Sequence, residues 1–214
     1  MARQTGHLDL VAEFERAWAD ARHTRFVRSA EDVNEILGSR YETSEPLTFT
    51  RSMLWDVEVR KAAAPGVYIP YVVRQGSDRV WRREPLPDGG EFLARSSAQR
   101  LWLRPDDYGT VLEVAHLDHR QQKVTFLGVA ELDDAAGRTI RAGTGQPLFH
   151  VEHSVGGTER RPLNLWRIVH LTGDVDERLI EHFSRTSESP WLPEFVEIYI
   201  QRDLGIGLTR REAG

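Results

Sequence analysis

The chain has 214 residues, of which 40% are hydrophobic and 29% charged; these are the proportions of a folded globular protein and exclude a disordered one. A net charge of -5 argues against a surface built to neutralise phosphates, so no nucleic-acid partner is expected. The absence of cysteine excludes disulfides, thiolate metal sites and cysteine nucleophiles, which leaves packing to supply the stability.

At this length one domain spanning 1–214 is expected: mainly helical over 1–64, an antiparallel sheet over 67–172 and helices again over 174–205. Lys61 and Lys123 are the only lysines, and an arginine- and alanine-rich chain of this kind suggests a high-GC bacterial genome. The N-terminal stretch has no apolar core of a signal peptide and no later run approaches a membrane span, so the expectation is a cytoplasmic protein without a membrane partner.

From Leu10 the apolar residues Phe14, Ala17, Trp18 and Ala21 fall on one helical face, with Glu13, Glu15, Arg16 and Asp20 elsewhere. A second helix is expected with Ser29 as its N-cap, Val33, Ile36 and Leu37 on its apolar face, and Gly38 at its stop. Over Thr48–Ala64 a strand-like alternation of Met53, Trp55, Val57 and Val59 competes with a helical reading. The helix is preferred, with Asp56 and Arg60 as an i, i+4 pair and Pro65-Gly66 ending it.

From Val67 to Thr172 short alternating runs separated by turn residues predict antiparallel strands. These cover Val67–Arg74, Arg79–Arg83, Glu91–Leu103, Thr110–Leu117, Lys123–Leu132, Gln146–Val155 and Leu163–Leu171, with turns at 88–90, 133–137 and 156–157. Asp174 followed by Glu177 then predicts a capped helix carrying Leu179, Ile180 and Phe183. A last helix is expected near Pro193, and a frayed tail after Gly205.

Helices, then strands, then helices make an α+β class: a curved antiparallel sheet of about six or seven strands flanked by terminal helices. In element order this is similar to the helix-grip and cone-like folds, which hold a cavity between sheet and helices. The helix-grip plan begins with a strand, and none is evident here.

The polar residues of interest lie on the expected strands. Alternation over 148–155 places Phe149, Val151, His153 and Val155 on one face and His150 with Glu152 on the other. His153 is then either an acid/base group in an apolar cavity or a core histidine, and His170, in step with Trp166 and Ile168, is a second acid/base candidate. Arg95 and Arg100 fall on opposite faces of one strand, and whichever points inward could hold a carboxylate or an enolate oxygen. Tyr68, Tyr71, Trp81 and Trp102 are candidates to stack on a flat ligand or to fill the core. The Gly143–Pro147 loop resembles a phosphate loop but precedes a strand, so it reads as a turn; no cofactor motif, G-x-S-x-G elbow or H-E-x-x-H helix is present, and no cofactor is expected.

Three functions fit these residues. The first is a cofactor-independent cyclase, dehydratase or isomerase working by acid/base chemistry on a hydrophobic, aromatic or polyketide-like small molecule, as in specialised metabolism. The second is a non-catalytic ligand-binding or assembly protein, including a homodimer, docked through Trp191 between Pro190 and Pro193. The third is a metal-dependent enzyme using His116, His119, His150 and His153. Whether the chain is catalytic at all is left open by the sequence.

Overall fold

The computed structural model describes residues 9–134, 136–143 and 145–211. Most of the stretch that bears on a signal peptide, Ala135 of the 133–137 turn and Thr144 of the 143–147 loop lie outside the described residues.

The chain opens with helix α1 (Leu10–Ala19), strand β1 (Thr24–Asp32), α2 (Val33–Arg40), a short β2 (Tyr41–Thr43), α3 (Arg51–Ala63) and the single turn α4 (Pro65–Tyr68). Strands follow: β3 (Arg79–Pro85), β4 (Glu91–Leu101), β5 (Arg104–Asp118) and β6 (Lys123–Gly128), a small ribbon of β7 (Glu131–Asp133) and β8 (Thr139–Arg141), then β9 (Phe149–Thr158) and β10 (Arg161–His170). The chain ends in α5 (Glu177–Ser187), α6 (Glu194–Ile198) continued by a π-helical turn over Tyr199–Asp203, and β11 (Leu208–Arg210), which pairs with β2. Seven strands form one antiparallel sheet in the order β1-β10-β9-β6-β5-β4-β3. An edge strand, two helices, a run of antiparallel strands and a C-terminal helix make up the helix-grip order, and β1 is the opening strand that the sequence did not reveal.

Both faces of the sheet are covered. On the outer face α1, capped where the Asp9 side chain accepts from the Ala12 amide, presses Leu10, Phe14 and Ala17 onto Ala94, Val114, Leu127 and Val169. Each such fully buried side chain contributes on the order of 1.5–3 kcal/mol relative to leaving it in water. On the inner face α3, capped by Thr50, lays Ala62 over Leu93, Ala115, Leu117, Val124 and Phe126. The remaining core joins α2, α3 and α6 through Val33, Leu37, Phe49, Leu54, Val57, Phe195 and Ile200.

Several boundaries differ from expectation for identifiable reasons. Ser29 lies inside β1; the cap of α2 is Asp32, whose carboxylate accepts from the Asn34 and Glu35 amides, and the helix runs through Gly38 to Arg40. β1 reads as polar loop because it is an edge strand: Val27 is exposed, Arg28 turns inward, and a bulge separates Arg28 from Glu31. The strand expected at Val67–Arg74 is absent. Pro65 starts α4 instead of only ending α3, and Val73 makes a lone bridge to Gln99. Asp176, rather than Asp174, caps α5, and β11 stands where a frayed tail was expected. The α3 reading holds, with the Asp56–Arg60 pair at 2.8 Å.

Candidate functional site

A cavity of about 360 Å³ lies between the inner face of the sheet and the helices. Its back wall follows from strand register. His153 on β9 stands opposite Trp166 on β10 and Val124 on β6, and two residues earlier Val151 stands opposite Ile168 and Phe126. Side chains that are directly opposite share a face, so His153, Val151 and Phe149 all turn toward the helices. His150 and Glu152 turn the other way, under α1, where Glu152 meets Arg167 at 2.9 Å.

His153 does not stand alone. Across from it α3 presents Leu54, Val57, Glu58, Lys61 and Ala62 on one face, so a carboxylate and an ammonium occupy core-facing positions of an amphipathic helix. Lys61 Nζ lies 2.7 Å from Glu58 Oε2 and 2.9 Å from His153 Nδ1, and that same Nδ1 is 3.1 Å from Glu58 Oε2. Aromatic rings enclose the group. Trp166 overlies the imidazole at 4.5 Å, Phe126 meets it edge-on at 5.8 Å, and the Phe195 ring lies 3.7 Å from the Lys61 ammonium. Among the described residues His153 Nε2 has no protein partner, and the residue stands in the cavity wall.

Burial sets the charges of this group. It pushes the His153 pKa down, and the Lys61 ammonium beside it adds to the effect, so the imidazole is neutral. Burial also lowers the Lys61 pKa, with Glu58 pulling it partly back. For Glu58 burial alone would raise the pKa, but Lys61 and His153 outweigh it and the carboxyl is held below its ordinary range.

A second ion pair stands in the same wall. Arg95 and Glu113 are direct cross-strand neighbours, both buried, with Arg95 Nε and Nη2 each 2.9 Å from Glu113 Oε2. Arg95 Nη1 also donates to the carbonyls of Lys61 and Ala62 at 3.2 and 2.6 Å, closing the C-terminal end of α3. Gln99 Nε2 donates to the same Oε2 at 3.3 Å, while Glu113 Oε1 has no partner among the described residues. Arg95 thus spends most of its donors on the protein, and the open polar atom here is an acceptor.

The sequence-derived candidates divide accordingly. His153, Arg95, Tyr71 and Trp102 are in the wall, Tyr71 at the exposed mouth and Trp102 against Phe149 and Phe183 at 5.7 and 5.2 Å. His170 lies behind the wall, enclosed by Phe149 and Phe183, with Nε2 unpartnered among the described residues and a pKa pushed by burial to about 4. Arg100 takes no part in the wall; its Nη1 donates to the Pro105 carbonyl at 2.6 Å. Tyr68 is core, with its hydroxyl on Asp203 at 2.9 Å, and Trp81 lies on the edge strand, donating to Ser96 at 2.8 Å. Trp191 does not project as a docking knob. It lines the cavity, packed edge-on to Tyr41 at 5.7 Å beneath the Arg210 guanidinium.

The four histidines considered for a metal do not converge. His150 and His153 face opposite sides of the sheet, His119 bonds Glu91 at 2.8 Å in the β5–β6 turn, and His116 pairs with Asp88 at 3.2 Å. No three of His, Asp and Glu among the described residues are grouped to hold a metal ion. No described helix is long and apolar enough to cross a membrane. Glu58 and Lys61, on α3, and Glu113, on β5, are not among the site residues expected from the sequence. The signal for the first two was the i, i+3 placement of a rare lysine and a glutamate within the stripe Leu54, Val57, Ala62.

No protein-family model matches the chain, and no curated protein matches it. Solved structures share its general course. An aromatase/cyclase, Zhui, from Streptomyces sp. R1128 is 9% identical with a TM-score of 0.47, covering 84% of this chain and 94% of its own. Ara h 8.0201 is 9% identical with a TM-score of 0.46, covering 81% and 97%. A truncated norcoclaurine synthase from Thalictrum flavum is 10% identical with a TM-score of 0.41, covering 86% and 97%. At such identities and scores the likeness says nothing of the residues in the cavity.

Proposed function

We propose that this protein takes a hydrophobic, at least partly aromatic small molecule into the cavity and acts on it by acid/base chemistry. It would thus be a cofactor-independent enzyme of the cyclase, dehydratase or isomerase type. The observation that carries this reading is His153, neutral, fixed on its Nδ1 side by Lys61 and Glu58, with Nε2 unpartnered among the described residues and the Trp166 and Phe126 rings against the imidazole. Glu113 Oε1 is the acceptor on the same wall and would take a proton or a ligand hydroxyl. Arg95 holds that carboxylate in place rather than meeting the ligand itself.

The test uses 2-tetralone, a bicyclic aromatic ketone, in D₂O. Wild-type protein should accelerate exchange of the protons beside the carbonyl, followed by proton NMR, and His153→Gln should abolish the acceleration while still binding the ketone. Binding without any acceleration in the wild type would leave a ligand carrier instead of an enzyme. That second reading has its own support, since the cavity's buried charges are already paired within the protein.

A further inference from the structure

We propose that Lys61, His153 and Glu58 form a proton relay whose resting state presents His153 Nε2–H to the ligand, so that the cavity recognises a carbonyl or other bare oxygen acceptor at this point. The proposal rests on His153 being the group that meets the ligand.

The donor and acceptor chemistry of the three contacts leads to it. Lys61 sits 2.7 Å from a buried carboxylate and 3.7 Å from the Phe195 ring centre, both of which favour the ammonium. An ammonium has only donors, so its 2.9 Å contact with His153 Nδ1 requires a lone pair on that nitrogen. The ring proton must then be on Nε2. The opposite tautomer would set an N–H of the ring against an N–H of the ammonium at the same distance. The imidazolium is opposed by burial and by the adjacent cation, as the neutral ring in the wall already implies.

The longer contact, His153 Nδ1 to Glu58 Oε2 at 3.1 Å, fits the other end of the relay. When Nε2 gives its proton to a ligand oxygen, Lys61 passes one proton to Nδ1. The ring stays neutral, the lysine becomes an amine, and the new Nδ1–H points to the Glu58 carboxylate. One proton leaves the ammonium and one reaches the ligand, and Nε2 now carries a lone pair able to take a proton back. Acid and base are then two tautomers of one residue, with Lys61 as the store and Glu58 as the acceptor of the second state. Lys61 and Glu58 act through His153, and are positioning residues in that sense.

The experiment is nitrogen-15 NMR of the His153 ring in the protein without ligand. The expected spectrum shows a neutral ring protonated at Nε2. In Lys61→Met, where only Glu58 faces Nδ1, the proton should move to Nδ1; in the Lys61→Met/Glu58→Gln double variant that preference should weaken. A wild-type ring protonated at Nδ1, or an imidazolium, would overturn the relay even if the variants fail to fold. Binding supplies a second readout: wild type should prefer 2-tetralone over the hydrocarbon tetralin by about fivefold, the worth of one hydrogen bond, and Lys61→Met should lose that preference. An Nε2–H ring without catalysed exchange would overturn the enzymatic reading and leave the tautomer assignment standing. Exchange with an Nδ1–H ring would do the reverse.

Discussion

Arg95 and Glu113 face each other across β4 and β5 with their side chains joined at 2.9 Å, and the same guanidinium reaches over to the last carbonyls of α3. One arginine therefore binds the sheet to the helix that carries Glu58 and Lys61. Arg95→Met strands a buried carboxylate and two helix-end carbonyls, and should cost about 3–5 kcal/mol in urea unfolding. Arg95→Met combined with Glu113→Leu should recover part of that loss, because no unpaired charge remains. Arg95→Lys should not restore the wild-type midpoint, since an ammonium cannot span the carboxylate and both carbonyls as the planar fork does.

Removing Phe14 from the outer face should destabilise without touching the ligand. The ring is fully buried beneath the Arg167 guanidinium at 4.8 Å, so Phe14→Ala should cost about 3–5 kcal/mol. Affinity for 2-tetralone measured below the unfolding transition should stay within twofold of wild type. A large affinity loss in folded protein would mean that the outer layer shapes the cavity more than its contacts indicate.

Acid should loosen the fold through His170. Its pKa is depressed in the folded state from 6.5 to about 4 by burial, so between those values the unfolded chain binds the proton more readily. Its contribution is intact above pH 6.5 and is lost as the pH falls toward about 4. His170→Gln should reduce the slope of unfolding free energy against pH in that window by up to about 1.4 kcal/mol per pH unit. His153, also held neutral by burial, adds a slope of the same sign, so the double variant should be flatter still. An unchanged slope in His170→Gln would show that the residue is not buried in the neutral form.

Trp191 gives opposite outcomes for a cavity wall and a docking surface. As part of the wall it should, in Trp191→Ala, weaken binding of a fluorescent apolar probe such as 8-anilinonaphthalene-1-sulfonate, while light scattering on a sizing column stays as in wild type. A change in assembly with unchanged probe binding would restore the docking role.

Long periodic elements were the legible ones. α1, α3 and the sheet strands β3, β4, β5, β6, β9 and β10 follow from amphipathic spacing and alternation, while the short β7–β8 ribbon was not foreseen; the face of β9 that holds His153 follows from the same alternation. β1 was not legible, because an edge strand with an inward arginine lacks the apolar period that marks a strand. Nor was the pairing of β11 with β2, which depends on a contact between residues more than 160 positions apart. The polar group around His153 was half visible. The histidine announces itself by residue type, but Glu58 and Lys61 look like surface charges until the helix is set against the sheet.

The two-sided covering of the sheet also decides where the molecule can yield. With α1 packed on one face and α3 on the other, the back wall is close-packed through its thickness and cannot bow without opening voids. The front is different: the last turn of α5 and the link that follows it, residues 185–190, are largely exposed, and Thr186, Ser189 and the adjoining Trp191 border the cavity. If the cavity takes a ligand as proposed, a bulky guest would be accommodated by displacement of this stretch and not by the strands, and substitutions along it would be the ones to alter selectivity for guest size.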